Sequence, residues 1–93
     1  MITISTDPFT IAAGRNRNIG EFKGQLYFKN ESSTARAKFR VVNVPTNEVV
    51  AEGELENIAP GNETDCPIKA GFKDLTIYND SDKASIQVTP KPF

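Results

Sequence analysis

Two arginines on a glycine-bounded segment have the clearest capacity for binding chemistry in this chain. Arg15 and Arg17 lie within residues 14–20, between Gly14 and Gly20. A guanidinium group donates paired hydrogen bonds to phosphate, carboxylate or sulfate, so the segment could bind a small anion. Affinity for a nucleic acid grows with the number of phosphates that lysines and arginines neutralise. Two cations on a chain of net charge −1 are too few for such a partner. A solvated polar loop is the interpretation that we favour over an anion site.

Residue types that carry most enzyme chemistry are scarce. The chain has no histidine and one cysteine, Cys66, which removes the usual general base, an internal disulfide and a multi-cysteine zinc site. Cys66 falls on an apolar strand face, where a free thiol behaves as a small hydrophobic group. Asp80 and Asp82 are too few to supply six oxygen ligands to calcium. We therefore predict a non-enzymatic protein with no catalytic residue, no cofactor and no metal site.

Two tyrosines complete the candidate binding residues. Tyr27 and Tyr78 fall on the polar faces of their predicted strands, and with Arg15 and Arg17 they form the set that we expect to contact a protein partner. Single aromatic residues are common on protein surfaces. Because the chain has no tryptophan, a platform for stacking sugars is disfavoured.

The same turn chemistry occurs twice in the chain. Residues 26–33 (LYFKNESS) align with residues 75–82 (LTIYNDSD), and each segment leads into another alternating strand. Both place Asn, an acid and Ser at the turn, where the Asn and Ser side chains can cap backbone amides. Asn30, Asn62 and Asn79 each begin an Asn-x-Ser/Thr triplet, which turn capping explains without glycosylation. We interpret the match as two hairpins of one type and not as gene duplication.

Alternation of apolar and polar residues predicts β-strands throughout, since no window keeps apolar residues at helical spacing for three turns. The predicted apolar strand faces are Ile2 and Ile4; Phe9, Ile11 and Ala13; Phe22, Gly24, Leu26 and Phe28; Ala37, Phe39 and Val41; Val49, Ala51 and Leu55; Cys66, Ile68 and Ala70; Leu75 and Ile77; and Ala84, Ile86 and Val88. Asp7-Pro8 interrupts the first strand, and Pro67 indicates that the fifth is an edge strand or is bulged.

Short strands separated by turn signals at intervals of about 8 to 12 residues are typical of a sandwich or a barrel. The sequence therefore predicts a single all-β domain over residues 1–93. Its predicted architecture is an immunoglobulin-like antiparallel β-sandwich of about seven strands, and a small β-barrel is the alternative.

Charge is distributed unevenly along the chain. Residues 1–46 hold seven Lys or Arg and three Asp or Glu, whereas residues 47–93 hold four and nine. An antiparallel hairpin around residues 45–47 explains this asymmetry, because it sets basic and acidic residues opposite each other. The predicted pairs are Arg36 with Glu56, Lys38 with Glu54, and Arg40 with Glu52. A slip of one residue would mismatch every pair and expose Phe39, so we interpret the charges as control of strand register.

Targeting signals are not visible in the sequence. The N-terminus lacks a basic segment followed by 7 to 15 apolar residues, and no stretch approaches the roughly 18 apolar residues that span a bilayer. We expect a soluble protein that is made in the cytoplasm, without a membrane span. A form trimmed from a longer precursor would look the same, so the final location stays open.

Residues 25–64 resemble a known class of bacterial domain. The matching features are the strand of residues 26–32, the Ala37-Lys38-Phe39-Arg40-Val41 strand and the Ile58-Ala59-Pro60-Gly61 turn. This pattern resembles bacterial immunoglobulin-like modules of the cell-adhesion-related CARDB class. It is also similar to bacterial intracellular proteinase inhibitors of the BsuPI type and to the major sperm protein and chaperone-like sandwiches. The resemblance covers under half of the chain, and it implies the architecture and a general binding role.

Three functional hypotheses follow from these features. The first is a non-enzymatic protein-binding or adhesion-type module whose contacts come from loops at one end of the sandwich, including residues 14–20, 45–47 and 79–82, or from the opposite loops if the strand order differs. The second is a structural protein that self-associates through an exposed edge strand. The third is a peptidase inhibitor that acts through a protruding loop.

Overall fold

Every regular element in the described part of the chain is a β-strand. The computed structural model describes residues 7–32, 34–55 and 63–92. It contains β1 (Phe9–Ile11), β2 (Asn16–Asn30), β3 (Ala37–Asn43), β4 (Glu48–Leu55), β5 (Glu63–Asn79) and β6 (Ile86–Pro92). Within these ranges no helix is long and apolar enough to cross a bilayer. The predicted strand face of Ile2 and Ile4 lies outside the described residues.

The strands form two antiparallel sheets that share a pair of long strands. Sheet I contains, in order, β4, β3, the second half of β5 and the first half of β2; sheet II contains β1, β6, the second half of β2 and the first half of β5. The all-β antiparallel sandwich is thus confirmed. The described strands do not close into a barrel.

The two long strands, β2 and β5, bend from one sheet into the other. Their ladder shifts register three times between Asn18 and Gly24. Gly20 lies at one of these shifts with φ 70°, a left-handed conformation that glycine adopts without steric cost. Bulges of this kind bend a strand and increase its twist, which lets one ladder serve both layers.

Side chains from both sheets meet in one core. The rings of Phe28 in sheet II and Phe39 in sheet I stack with centroids 4.1 Å apart. Opposite Phe39 stands Gly53, where a Cβ atom would lie 3.1 Å from the ring. The other core members are Ile11, Phe22, Leu26, Ala37, Val41, Leu55, Leu75, Ile77, Ala84, Ile86 and Val88. The predicted buried faces of the second, third, sixth and seventh strands are therefore confirmed.

Two predicted strand boundaries are wrong. The fifth and sixth predicted strands are one continuous strand, β5, because the ladder with β2 runs along its whole length. Only the beginning of residues 14–20 is a turn, since β2 starts at Asn16. In this segment Asn18 donates from Nδ2 to the Thr76 hydroxyl and to the Leu75 carbonyl. The polar residues from Asn16 onward therefore belong to a strand and not to a solvated loop.

The β3–β4 hairpin has the predicted register over most of its length. Lys38 stands opposite Glu54, and Arg40 stands opposite Glu52. A bulge after Val41 then leaves Val50 as an extra residue. Val50 consequently packs against the core, while Val49 turns to solvent. The predicted inward position of Val49 is wrong for this reason.

Candidate functional site

The two arginines predicted to bind an anion do not form a common site. Arg17 lies in β2, and its Cζ atom is 4.3 Å from the centre of the Phe9 ring. This cation–π contact covers the side of the sandwich where β2 lies over β1. Arg15 is exposed in the turn before β2, and no described side chain forms a salt bridge with it. Arg17 therefore has a structural role, and a small-anion site at the pair stays a prediction.

The two tyrosines lie on opposite outer faces. Tyr27 is on sheet II, where Lys91 Nζ is 5.1 Å from the ring centre. Tyr78 is on sheet I, and the guanidinium of Arg40 lies 4.3 Å above its ring. The structure therefore does not bring Tyr27, Tyr78, Arg15 and Arg17 into one surface.

Arg40 belongs to a small ordered cluster that sequence reasoning assigned to the wrong partner. Its guanidinium donates from Nε to Asp80 Oδ2 at 3.0 Å and from Nη2 to Oδ1 at 3.4 Å. The hydrogen bond with Asp80 raises the pKa of Arg40 above its ordinary value, and the charges of Asp80 and Glu52 act in the same direction. Arg40 is opposite Glu52 in the ladder, as predicted, but its ion pair is with Asp80 because β5 brings that turn alongside β3.

A buried asparagine organises the turn of residues 30–36, here called corner A. Asn30 is 1% exposed. Its Nδ2 donates to the carbonyl oxygens of Ala35 at 2.8 Å and Leu55 at 3.3 Å, and its Oδ1 accepts the amide of Ser32 at 2.8 Å. One side chain thus closes the turn and holds the last residue of β4.

The turn of residues 79–85, here called corner B, has the same construction. Asn79 is also 1% exposed. Its Nδ2 donates to the carbonyl oxygens of Ala84 and Ile11, both at 2.8 Å, and its Oδ1 accepts the amide of Ser81 at 2.9 Å. Here the second carbonyl belongs to the last residue of β1. The predicted turn capping is confirmed at both corners, while the burial of the two asparagines was not anticipated. The prediction that these turns close hairpins is wrong, because each turn leads from one sheet to the other: β2 does not pair with β3, and β5 does not pair with β6, in the described ladders.

The two corners lie side by side at one end of the sandwich. The amide of Glu31 in corner A donates to the Ser85 carbonyl, and the amide of Asp80 in corner B donates to the Lys38 carbonyl. A shallow cleft of about 310 Å³ separates them and is open to solvent. Its charged lining residues are Arg36, Lys38, Asp80, Asp82 and Lys83. Cations and acids alternate there, so the cleft has no uniform charge with which to select a ligand.

The predicted group of binding loops is divided between the two ends of the sandwich. Gly14 donates its amide to the Asn79 carbonyl, so the turn before β2 lies at the corner end. Near its start β3 pairs with Asn79, which belongs to corner B, and at its end Asn43 pairs with Leu75. Residues 45–47 follow that end of β3. This hairpin therefore lies at the opposite end, and the expectation that it joins the other two loops is wrong.

An exposed edge strand is the largest feature that could engage a partner. Along the described residues, the eight-residue strand β4 pairs with β3 and has no strand on its other side. Val49 is 42% exposed on this strand, and Val44, in the preceding turn, is 45% exposed. These are the two large hydrophobic side chains that stand out from the described surface. An unpaired strand presents a row of free amides and carbonyls that another strand can complete.

The charges along β4 are all negative. Glu54 forms salt bridges with Arg36 at 3.6 Å and Lys38 at 3.8 Å. Glu48 and Glu52 are exposed, and no described side chain lies within salt-bridge distance of either. The predicted Arg36–Glu56 pair falls outside the described residues. Counting described side chains alone, the β4 edge therefore presents two carboxylates without an ion-pair partner and an exposed valine.

No metal-binding group is found among the residues whose placement is described, since no three His, Cys, Asp or Glu side chains cluster there. The side chain of Cys66 is not among those described.

No protein-family model matches the chain, and no curated protein matches it either. The resemblance to bacterial adhesion and inhibitor modules accordingly stays a prediction.

Proposed function

We propose that this chain is a non-enzymatic protein-binding module that accepts an extended segment of a partner protein as an additional strand beside β4. The observation that carries the proposal is the unpaired β4 edge of sheet I. Strand addition of this kind draws its affinity from main-chain hydrogen bonds and its specificity from alternate side chains. It needs no pocket, which suits a protein whose clefts among the described residues are open to solvent.

The charge of β4 indicates the composition of that segment. Glu48 and Glu52 are exposed on the strand, and the exposed Val49 lies between them. The bulge places Val49 and Glu52 on the same face of β4 and Glu48 on the other face. A partner strand with basic residues at alternate positions would therefore pair with Glu52, and the aliphatic stems of those residues would cover Val49. Like charges placed opposite each other are destabilising, so acidic segments are disfavoured.

Local packing holds β4 in an extended form before any partner arrives. Leu55 is buried at the end of the strand, and its carbonyl accepts a hydrogen bond from Asn30. Gly53 lies directly against the Phe39 ring. A preformed strand loses less conformational entropy on binding than a flexible loop would lose.

Peptide binding tests this proposal directly. A labelled eight-residue peptide of alternating lysine and valine is titrated with the protein, beside an otherwise identical peptide of glutamate and valine. We expect saturable binding of the basic peptide, measured by fluorescence anisotropy, and slower amide exchange within residues 48–55. A basic peptide with N-methylated backbone amides should bind at least tenfold more weakly, because it cannot complete the ladder.

A charge reversal on β4 supplies the matched control. Glu52→Lys should weaken binding of the basic peptide severalfold, whereas Asp82→Lys, on an exposed residue of corner B, should leave it unchanged. The proposal is wrong if residues 48–55 show no added protection with saturating peptide, or if both charge reversals weaken binding equally.

A further inference from the structure

The outer face of sheet I, which points away from the core, is apolar at one level of the β4 edge. Reading across the sheet, Thr76 in β5 stands opposite Val42 in β3, and Val42 opposite Val49 in β4. Val41 and Ile77, which adjoin this row in the sequence, belong to the core, so the row lies on the other face. Thr76 and Val42 are 7% and 5% exposed, whereas Val49 is 42% exposed. The row is thus buried within the sheet and uncovered where the edge is open.

The next level of the same face ends in a charge. Arg40 in β3 stands opposite Glu52 at the edge, but the ion pair of Arg40 is with Asp80. No described side chain lies within salt-bridge distance of Glu52. Glu54, one level further, already has a salt bridge with Lys38 at 3.8 Å. Two neighbouring levels of the open edge therefore differ, because one exposes an apolar side chain and the other a carboxylate.

The bulge in β4 sets the spacing of a strand that matches both levels. In β3, Arg40 stands opposite Glu52. Two residues later, Val42 stands opposite Val49, because the bulge leaves Val50 as an extra residue in β4. A strand added on the other side of β4 meets the same bulge. Its side chains over Glu52 and Val49 would therefore also be two residues apart and on one face.

The direction of such a strand follows from the sheet. Every ladder of sheet I is antiparallel, from β4 to β3, from β3 to β5 and from β5 to β2. Antiparallel pairs are slightly more stable per residue than parallel pairs, so we expect an added strand to run opposite to β4. Val49 precedes Glu52 in β4. The residue over Glu52 therefore comes first in the added strand, and the residue over Val49 comes second.

We infer that the β4 edge selects a partner segment in which a lysine or arginine is followed, two residues later, by a large apolar residue. The cation lies over Glu52, and the apolar side chain lies over Val49 and extends the row of Val42 and Thr76. This inference rests on the proposed function and adds the order of residues that the same edge recognises. A segment with basic residues at both positions covers Val49 only with the stem of one side chain.

Three labelled peptides of identical composition test the order by fluorescence anisotropy. Each has eight residues and capped ends, and threonine fills all positions but two. The first peptide has lysine at position 4 and phenylalanine at position 6, the second has these two residues exchanged, and the third has phenylalanine at position 7 instead of 6. We expect the first peptide to bind about fivefold more tightly than the others, because only it places both side chains at their levels in an antiparallel strand.

Substitutions at the two levels locate the contacts. Val49→Thr keeps the β-branched shape and should weaken binding of the first peptide about threefold. Val44→Thr is the matched control, because Val44 is 45% exposed but donates its amide to the Asp74 carbonyl in β5, on the side away from the open edge. It should leave binding unchanged. Glu52→Lys should reverse the preference at position 4, so that a peptide with glutamate there binds more tightly than the lysine peptide.

Amide exchange in residues 48–55 separates the possible failures. Equal binding of all three peptides, each with slower exchange in β4, would overturn the inference and leave the proposed function intact. Tighter binding of the second peptide would also overturn it, because the added strand would then run parallel to β4. If no peptide slows exchange in β4, both proposals are wrong. Concentration-dependent protection of β4 without any peptide would show that a second copy occupies the edge, which contradicts the inference.

Discussion

Ser32 in corner A accepts the amides of Thr34 and Ala35 within its own turn, whereas Ser81 in corner B accepts the amide of Lys38 from β3. The acids differ in the same way. Glu31 accepts a hydrogen bond from the Thr10 hydroxyl, while Asp80 holds the guanidinium of Arg40. The serine of corner A thus makes local contacts, whereas the serine and the acid of corner B bind the neighbouring strand β3.

The comparison separates two parts of one turn motif. The asparagine makes the same three hydrogen bonds in both corners: to one amide and one carbonyl of the turn, and to the carbonyl that ends a neighbouring edge strand. Each of these backbone groups needs a hydrogen-bond partner inside the protein. The serine and the acid have different partners in the two corners, because a different strand lies beside each corner. The motif therefore specifies the turn, while the tertiary contacts specify what the turn is attached to.

Loss of either asparagine should have the largest effect. Asn79→Ala or Asn30→Ala leaves two carbonyls and one amide without their partner in a buried site, and we expect each to lower the free energy of unfolding by about 3 kcal/mol. Chemical denaturation measures this loss. Asn16→Ala, at an exposed position in β2, should change it by less than about 0.5 kcal/mol. Losses below about 1 kcal/mol at both corners would contradict this role of the asparagines, and clearly unequal losses would contradict their equivalence.

An isosteric change adds a dependence on pH. Asn79→Asp keeps an acceptor for Ser81 but directs a carboxylate at the carbonyls of Ile11 and Ala84. Burial disfavours the ionised form, so the folded pKa of the introduced group should lie above its unfolded value of about 3.9. The variant should therefore be destabilised less at pH 4 and progressively more as the pH rises towards 7. A loss independent of pH would show that the introduced group escapes to solvent.

The serines should rank next. Ser81 is itself buried, and Ser81→Ala removes the acceptor of a part-buried β3 amide, so we expect a loss of about 1 to 2 kcal/mol. Ser32→Ala affects two amides that water can reach in part, so its loss should be about 0.5 kcal/mol. Amide exchange distinguishes the two, because Ser81→Ala should accelerate exchange at Lys38, whereas Ser32→Ala should act only within corner A. Equal effects on Lys38 would contradict the difference between the corners.

The acids should have the smallest effects and the clearest difference in salt dependence. Asp80→Asn and Glu31→Gln should each cost at most about 1 kcal/mol, because both groups are exposed. The Asp80 effect should shrink in 1 M salt, since its partner is charged, while the Glu31 effect should change little. The pKa of Arg40 is raised above its already high ordinary value by the hydrogen bond with Asp80, so the arginine stays charged and adds no pH dependence between pH 5 and 9. Double-mutant cycles with Arg40→Gln and Thr10→Val measure both couplings.

The sequence alone determined the all-β sandwich, the buried faces around Phe28, Phe39 and Ile77, and the register of the β3–β4 hairpin. These follow from the two-residue period of a strand, which any one-residue slip would violate. It also identified the two Asn-acid-Ser turns, since capping is local chemistry. Only the tertiary structure decided the rest. The bend in β2 and β5 depends on bulges, the outward turn of Val49 depends on one extra residue in β4, and the partner of Arg40 depends on which turn packs beside β3. Such contacts join segments far apart in the chain, so no local pattern encodes them.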